Sequence, residues 1–138
     1  MTTFGIRTTA LVLAALLLAA CNKSSACTDP AVLTKVKELF DQQQFGQFIQ
    51  APPTIFIMQV KSATLVSTDK QSSKSRCSVV VVTDLFEMMK FTNQYSDADI
   101  AKIKEEAPKM GLPLKKEDLV NYTVQPLASG QNYVTVLP

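Results

Sequence analysis

The sequence predicts an α+β domain, with an N-terminal helix packed on a four-stranded antiparallel sheet and a second helix inserted between two hairpins. Three observations carry that expectation. An Asp-Pro helix start at 29–30 precedes Val32, Val36, Leu39 and Phe40 at helical spacing. Four runs rich in β-branched and aromatic residues follow in two pairs. Between the pairs, Ser96 with acids behind it opens another helix.

Taken in order, Asp29 is an N-cap acid, and Pro30 suits the first helical position, where the missing N–H costs nothing. Lys35, Lys37, Glu38 and Asp41 fall elsewhere on the helix surface, which fades through Gln42, Gln43 and Gln44 to Gly46. Pro52-Pro53 stops any continuation. Thr54–Thr68 reads as a strand, Asp69–Arg76 as a polar turn and Cys77–Leu85 as a second strand. The four valines at 79–82 suit a strand buried on both faces or central in the sheet. Leu85–Phe91 either extends that strand or forms a helical turn. Ser96 then caps a helix with Asp97 and Asp99 in its first turn and an apolar stripe of Ile100, Ile103 and Ala107. It should close near Met110-Gly111, with Pro113 beyond. Leu119–Leu127 alternates, with Val120, Tyr122 and Val124 on one face and Asn121, Thr123 and Gln125 on the other. A turn at Ser129-Gly130 leads to a last strand, Gln131–Leu137.

Residues 1–20 stand apart from this domain. A short region carrying Arg7 precedes an Ala/Leu-rich run of about a dozen residues, against the roughly 20 that a bilayer-spanning helix needs. The run fits a signal peptide. Its end, Leu18-Ala19-Ala20-Cys21, resembles the lipobox of bacterial lipoproteins. Small residues at 19 and 20 let a peptidase reach the backbone, and the Cys21 thiol is the nucleophile that accepts a diacylglyceryl group. The resemblance implies cleavage before Cys21, a lipid anchor there, and a short tether over residues 21–26. Acyl chains contribute about 0.8 kcal/mol per buried methylene, so two or three make an effectively permanent membrane anchor. Asn22, rather than Asp, resembles the sorting position of lipoproteins sent to the outer membrane, facing the periplasm.

Cys21 committed to lipid leaves Cys27 and Cys77 in an oxidising compartment. An intramolecular disulfide is the expectation; two free thiols or an intermolecular bridge are the alternatives. The chain holds 14 Lys/Arg and 12 Asp/Glu, and the leader removes only Arg7, leaving a formal charge of +1. That balance offers no electrostatic footprint for nucleic acid.

The domain at 27–138 resembles a class of small proteobacterial envelope lipoproteins. It shares their Cys27-Thr28-Asp29 helix start, Val36-Lys37 helix, long hairpin with Cys77, Tyr122-Thr123-Val124 strand, Gly130 turn and Tyr133-Val134-Thr135-Val136 strand. The general shape this implies is similar to cystatin-like or NTF2-like helix-plus-curved-sheet folds. The resemblance carries over no catalytic residues.

The chain has no His, which removes Ser-His and Cys-His nucleophile systems and most zinc sites. No metal and no cofactor are expected. Ser67-Thr68-Asp69-Lys70 matches a Ser-x-x-Lys spacing, but in a turn of a chain too short for penicillin-binding enzymes. Asp97, Asp99, Glu105 and Glu106 read better as a solvated helix face than as a glycosidase pair. Lys70, Lys74 and Arg76 form one basic cluster that either touches lipid head groups or an acidic partner, or simply solvates the hairpin end. Phe45, Phe48, Ile49, Phe86, Met88, Met89 and Phe91 are by default core filling beneath the sheet, with a partner or ligand surface as the rival reading. The expected function is a non-catalytic, lipid-anchored interaction module. Its partner would be another envelope protein, in an assembly, exclusion or immunity role. The alternative is a periplasmic carrier of small ligands with an apolar pocket between helix and sheet.

Overall fold

A computed structural model describes residues 26–92 and 95–138. The signal peptide, Cys21 and the tether up to residue 25 lie outside the described residues. A single 3-10 turn, η1 (Ala26–Thr28), leads into α1 (Pro30–Phe45), β1 (Phe56–Asp69), β2 (Lys74–Asp84), α2 (Leu85–Phe91), α3 (Asp97–Glu106), β3 (Lys115–Pro126) and β4 (Asn132–Val136). The strands form one antiparallel sheet in the order β1-β2-β3-β4. This is the expected helix on a four-stranded sheet, with helices inserted between the hairpins.

The caps act as read. The Asp29 carboxylate accepts the Ala31 N–H at 2.8 Å, and Gly46 closes α1 at φ 87°, a conformation that costs glycine least. Ser96 and Asp99 complete a reciprocal capping box on α3. Leu85–Phe91 resolves as helix because the Asp84 carboxylate accepts the Phe86 and Glu87 N–H groups at 3.0 and 3.1 Å.

Three boundaries move. β2 begins at Lys74 rather than Cys77, so the polar turn shrinks to Lys70–Ser73; the polar residues at 74–76 still complete their ladder bonds to Ser67, Thr68 and Asp69. α3 ends at Glu106, not near Gly111, because Pro108 supplies no N–H to continue the ladder. β3 begins at Lys115 rather than Leu119. Its charged first turn of strand lacks apolar alternation yet pairs fully with Val81–Asp84, while Lys116 and Asp118 meet at 2.9 Å.

One face of the sheet carries the core. Val32, Leu33, Val36 and Phe40 of α1 pack on Phe56, Cys77, Val79, Val81, Val120, Tyr122, Val124, Val134 and Val136. Cys77, Val79 and Val81 are the alternate positions of β2 that face the helix, and interior placement covers Val82 as well. α2 and α3 share a smaller cluster of Phe86, Ile100 and Ala107, with Met89, Ile103 and Leu114 against it. The expected core fillers therefore divide. Phe45, Met88 and Phe91 join the main core and Phe86 and Met89 the smaller one, but Phe48 is 98% exposed and Ile49 is exposed too. They sit in the loop before Pro52-Pro53, beyond the reach of the sheet's core face.

β1 carries a feature that shapes everything near it. Gln59 pairs with Val80 and Thr64 with Ser78, so residues 60–63 stand opposite Val79 alone. The Ser62 hydroxyl accepts the Val80 N–H at 2.8 Å and donates to the Gln59 carbonyl at 2.6 Å. A side chain thus replaces the missing ladder partner, and the strand can bend without stranding a half-buried donor. A second irregularity falls at Val66.

Candidate functional site

The start of the folded chain is fastened at one corner. Cys27 and Cys77 are fully buried at disulfide distance, with Cα atoms 5.6 Å apart and 50 residues between them in sequence. Cys77 lies between Leu65 and Tyr122 on the neighbouring strands. The Tyr122 hydroxyl reaches across to donate to the Cys27 carbonyl at 2.6 Å, and both residues are fully buried. Sequence reading placed Tyr122 on the core face but missed this bond, whose partner in η1 is 95 residues away in sequence.

Burial pushes the Tyr122 phenol up to about 12 from its usual 10. The folded state then holds its proton where the unfolded state has lost it. The associated stability is complete below pH 10 and declines as pH rises from about 10 to about 12, at roughly 1.4 kcal/mol per pH unit. Tyr122→Phe should cost about 1–2 kcal/mol near neutral pH, since it orphans the buried Cys27 carbonyl. It should also flatten the alkaline decline. Urea unfolding of both proteins between neutral pH and pH 11 checks this; parallel pH profiles would show that the phenol does not titrate with folding.

Beside this corner, an open groove of about 510 Å³ runs between the first turns of α1 and β1. Pro30, Leu33, Thr34, Met58, Val60 and Lys61 line it, with Lys37 at the same surface. The bulge at 60–63 borders this groove and contributes Val60 and Lys61 to its lining. Lys37 is held by Asp41 at 2.6 Å and lies 5.8 Å over the Phe56 ring, whereas Lys61 is exposed. The carrier alternative of the sequence reading placed an apolar pocket between helix and sheet without assigning residues to it. The available signal was local: Val60-Lys61-Ser62-Ala63 interrupts the alternation of β1.

Lys70, Lys74 and Arg76 come together at the end of the β1–β2 hairpin, all exposed. Asp69 accepts the Gln71 N–H and the Ser72 hydroxyl, both at 2.9 Å, and these bonds hold its carboxyl below the usual range. Ser73 turns the corner at φ 54°, in the left-handed region. Ser67 and Lys70 are exposed too, and the acids of α3 are spread over a solvated helix, where Asp99 serves as the capping partner of Ser96. Among the described residues, no group of three or more His, Cys, Asp or Glu is placed to hold a metal ion. No described helix is long and apolar enough to cross a membrane.

Exposed apolar side chains collect on β1: Ile57, Val60, Leu65 and Val66 are each at least 40% exposed, and Leu119 joins them from β3. Ile57 pairs with Val82, and Val80 pairs with Leu119, so a short apolar band crosses the face of the sheet turned away from α1. No protein-family model, curated protein or solved structure matches the chain significantly.

Proposed function

We propose that the chain is a lipid-anchored cell-envelope protein that acts by binding rather than by catalysis, through the groove between α1 and the first half of β1. Residues 1–20 direct export, Cys21 carries the lipid, and the domain faces the periplasm from the outer membrane. The partner is another envelope protein in an assembly, exclusion or immunity role, not nucleic acid. The observation that carries this reading is the open apolar groove of Pro30, Leu33, Met58 and the exposed Val60 between α1 and β1. Soluble monomers seldom leave contiguous apolar surface of this kind without a use for it. The groove's side chains, with Lys61 and Lys37 as their charged members, suit recognition better than proton transfer.

A carrier is the second reading, favoured by one number. The groove's volume lies within the roughly 300–1,000 Å³ typical of small-ligand sites.

A photo-cross-linking residue at Val60, with another at Phe48 as control, separates these in native membranes. The interaction module predicts one protein adduct at Val60, absent from Phe48 and lost with Lys61→Glu. A small-molecule adduct at Val60 would select the carrier, and identical adducts at both positions would defeat both readings. In the same cells, Cys21→Ser should block acylation and leave the precursor uncleaved. Processed, membrane-bound Cys21→Ser protein would end the anchor.

A further inference from the structure

Two independent features meet at the same end of the molecule: the point where the tether enters the fold, and a cluster of cations without ion-pair partners among the described residues. Cys27 is fixed against Cys77. Arg76 is the next residue along β2, and Lys74 lies about 10 Å away at roughly 3.3 Å per residue. Residues 22–26 can extend about 20 Å at most, at roughly 3.5 Å per residue. A lipid on Cys21 therefore keeps this corner close to its leaflet.

The charge is distributed to match. Residues 61–76 contain Lys61, Lys70, Lys74 and Arg76 against the single acid Asp69, whose oxygens are occupied by the turn. Among the described residues, none of these four cations lies within ion-pair distance of a carboxylate. The opposite end of β2 leads into residues 84–118, which hold eight carboxylates and six lysines. β2 separates the two ends by about 35 Å, several Debye lengths at physiological salt. Leu65 and Val66 are exposed between the cations, on the stretch of β1 that faces Arg76 and Cys77. Basic residues around a few exposed apolar side chains are the composition of a membrane-interface contact.

We infer that the outer edge of the distal β1–β2 hairpin docks on an anionic phospholipid leaflet, with Lys70, Lys74 and Arg76 on the head groups and Leu65 and Val66 of the outermost strand at the acyl boundary. The inference rests on the proposed anchor at Cys21 and gives it an orientation: the hairpin end lies against the membrane, and α2 and α3 point away from it.

The chain has no Trp, so one introduced indole reports on one place. Full-length mature protein carrying Val66→Trp, or Leu119→Trp as the control, is reconstituted in vesicles with brominated acyl chains. One set contains a third phosphatidylglycerol, the other phosphatidylcholine alone. Docking predicts blue-shifted, quenched emission from Val66→Trp only with phosphatidylglycerol, and a water-like spectrum from Leu119→Trp in both. Adding Lys70→Glu and Lys74→Glu should abolish the shift; Lys70→Glu alone, at the exposed tip, should weaken it if the double change impairs folding. Equal quenching in both vesicle types, or water-like emission from Val66→Trp with phosphatidylglycerol, overturns the proposal. So does capture of an acidic envelope protein by the tip while that indole stays in water. The mass of the N-terminal peptide reads acylation separately. An unacylated chain refutes the anchor, while the indole signal of the same protein added to vesicles still decides the docking.

Discussion

Replacing both cysteines, Cys27→Ala with Cys77→Ala, should lower the unfolding free energy by about 2–5 kcal/mol. The chain-entropy model gives about 4 kcal/mol for closing a loop across 50 residues. Against a total of about 5–15 kcal/mol for a domain of this size, that is a large share. The effect has a place as well as a size. η1 is held to the sheet by the Cys27 cross-link and by the hydrogen bond from Tyr122, so losing the cross-link removes the covalent fastening at this corner. Urea unfolding of the double variant should show the loss, and hydrogen exchange should find increased opening at residues 26–28 first. A midpoint within error of the parent would mean that packing alone fixes this corner.

Phe56→Ala should cost about 3–5 kcal/mol, the range for emptying an aromatic site in a packed core. Phe56 is 2% exposed and stands where three elements meet. Its ring meets Phe40 of α1 edge-on at 5.1 Å and Phe45 at 5.4 Å, and Phe45 in turn meets Phe91 of α2 at 5.2 Å. Truncation opens a cavity and also uncouples α1 and α2 from the first strand. Phe56→Leu retains most of the volume and should cost markedly less. A double-mutant cycle with Phe40→Ala should return a coupling of about 0.5–1.5 kcal/mol, as edge-on aromatic pairs do. Additive losses would show that the two rings fill space independently.

What the sequence disclosed depended on how local each signal was. Asp29-Pro30 and Ser96 with Asp99 announce helix starts because their partners lie within three residues. The alternation of Val120, Tyr122 and Val124 announces a core face because burial on a strand has period two. Cys27 and Cys77 were the natural pair once Cys21 was assigned to lipid, and the fold brings them to bonding distance. The opening of β3 was illegible because Lys115–Asp118 become strand through pairing with Val81–Asp84, not through their own pattern. The exposure of Phe48 was equally hidden: an aromatic in a loop looks like core until the sheet's edges are known. The groove was the least legible. Its lining comes from residues 30–34 and 58–61, and its shape from a register shift against β2.

That register shift bears on how many copies can live side by side. Proteins anchored to a leaflet, as proposed for this one, diffuse in two dimensions, where neighbours meet at effective concentrations far above those in solution. A fourteen-residue outermost strand would then be a template for end-on polymerisation, copy pairing to copy. The four residues opposite Val79 and the second break at Val66 leave no long straight run of β1 for a neighbour to match. Ser62 turns its hydrogen bonds inward to Val80 and Gln59, and Lys61 adds a charge that a second copy would have to approach. On the proposed anchor, the same distortion that borders the groove would let β1 expose Ile57 and Val60 without the protein becoming its own partner.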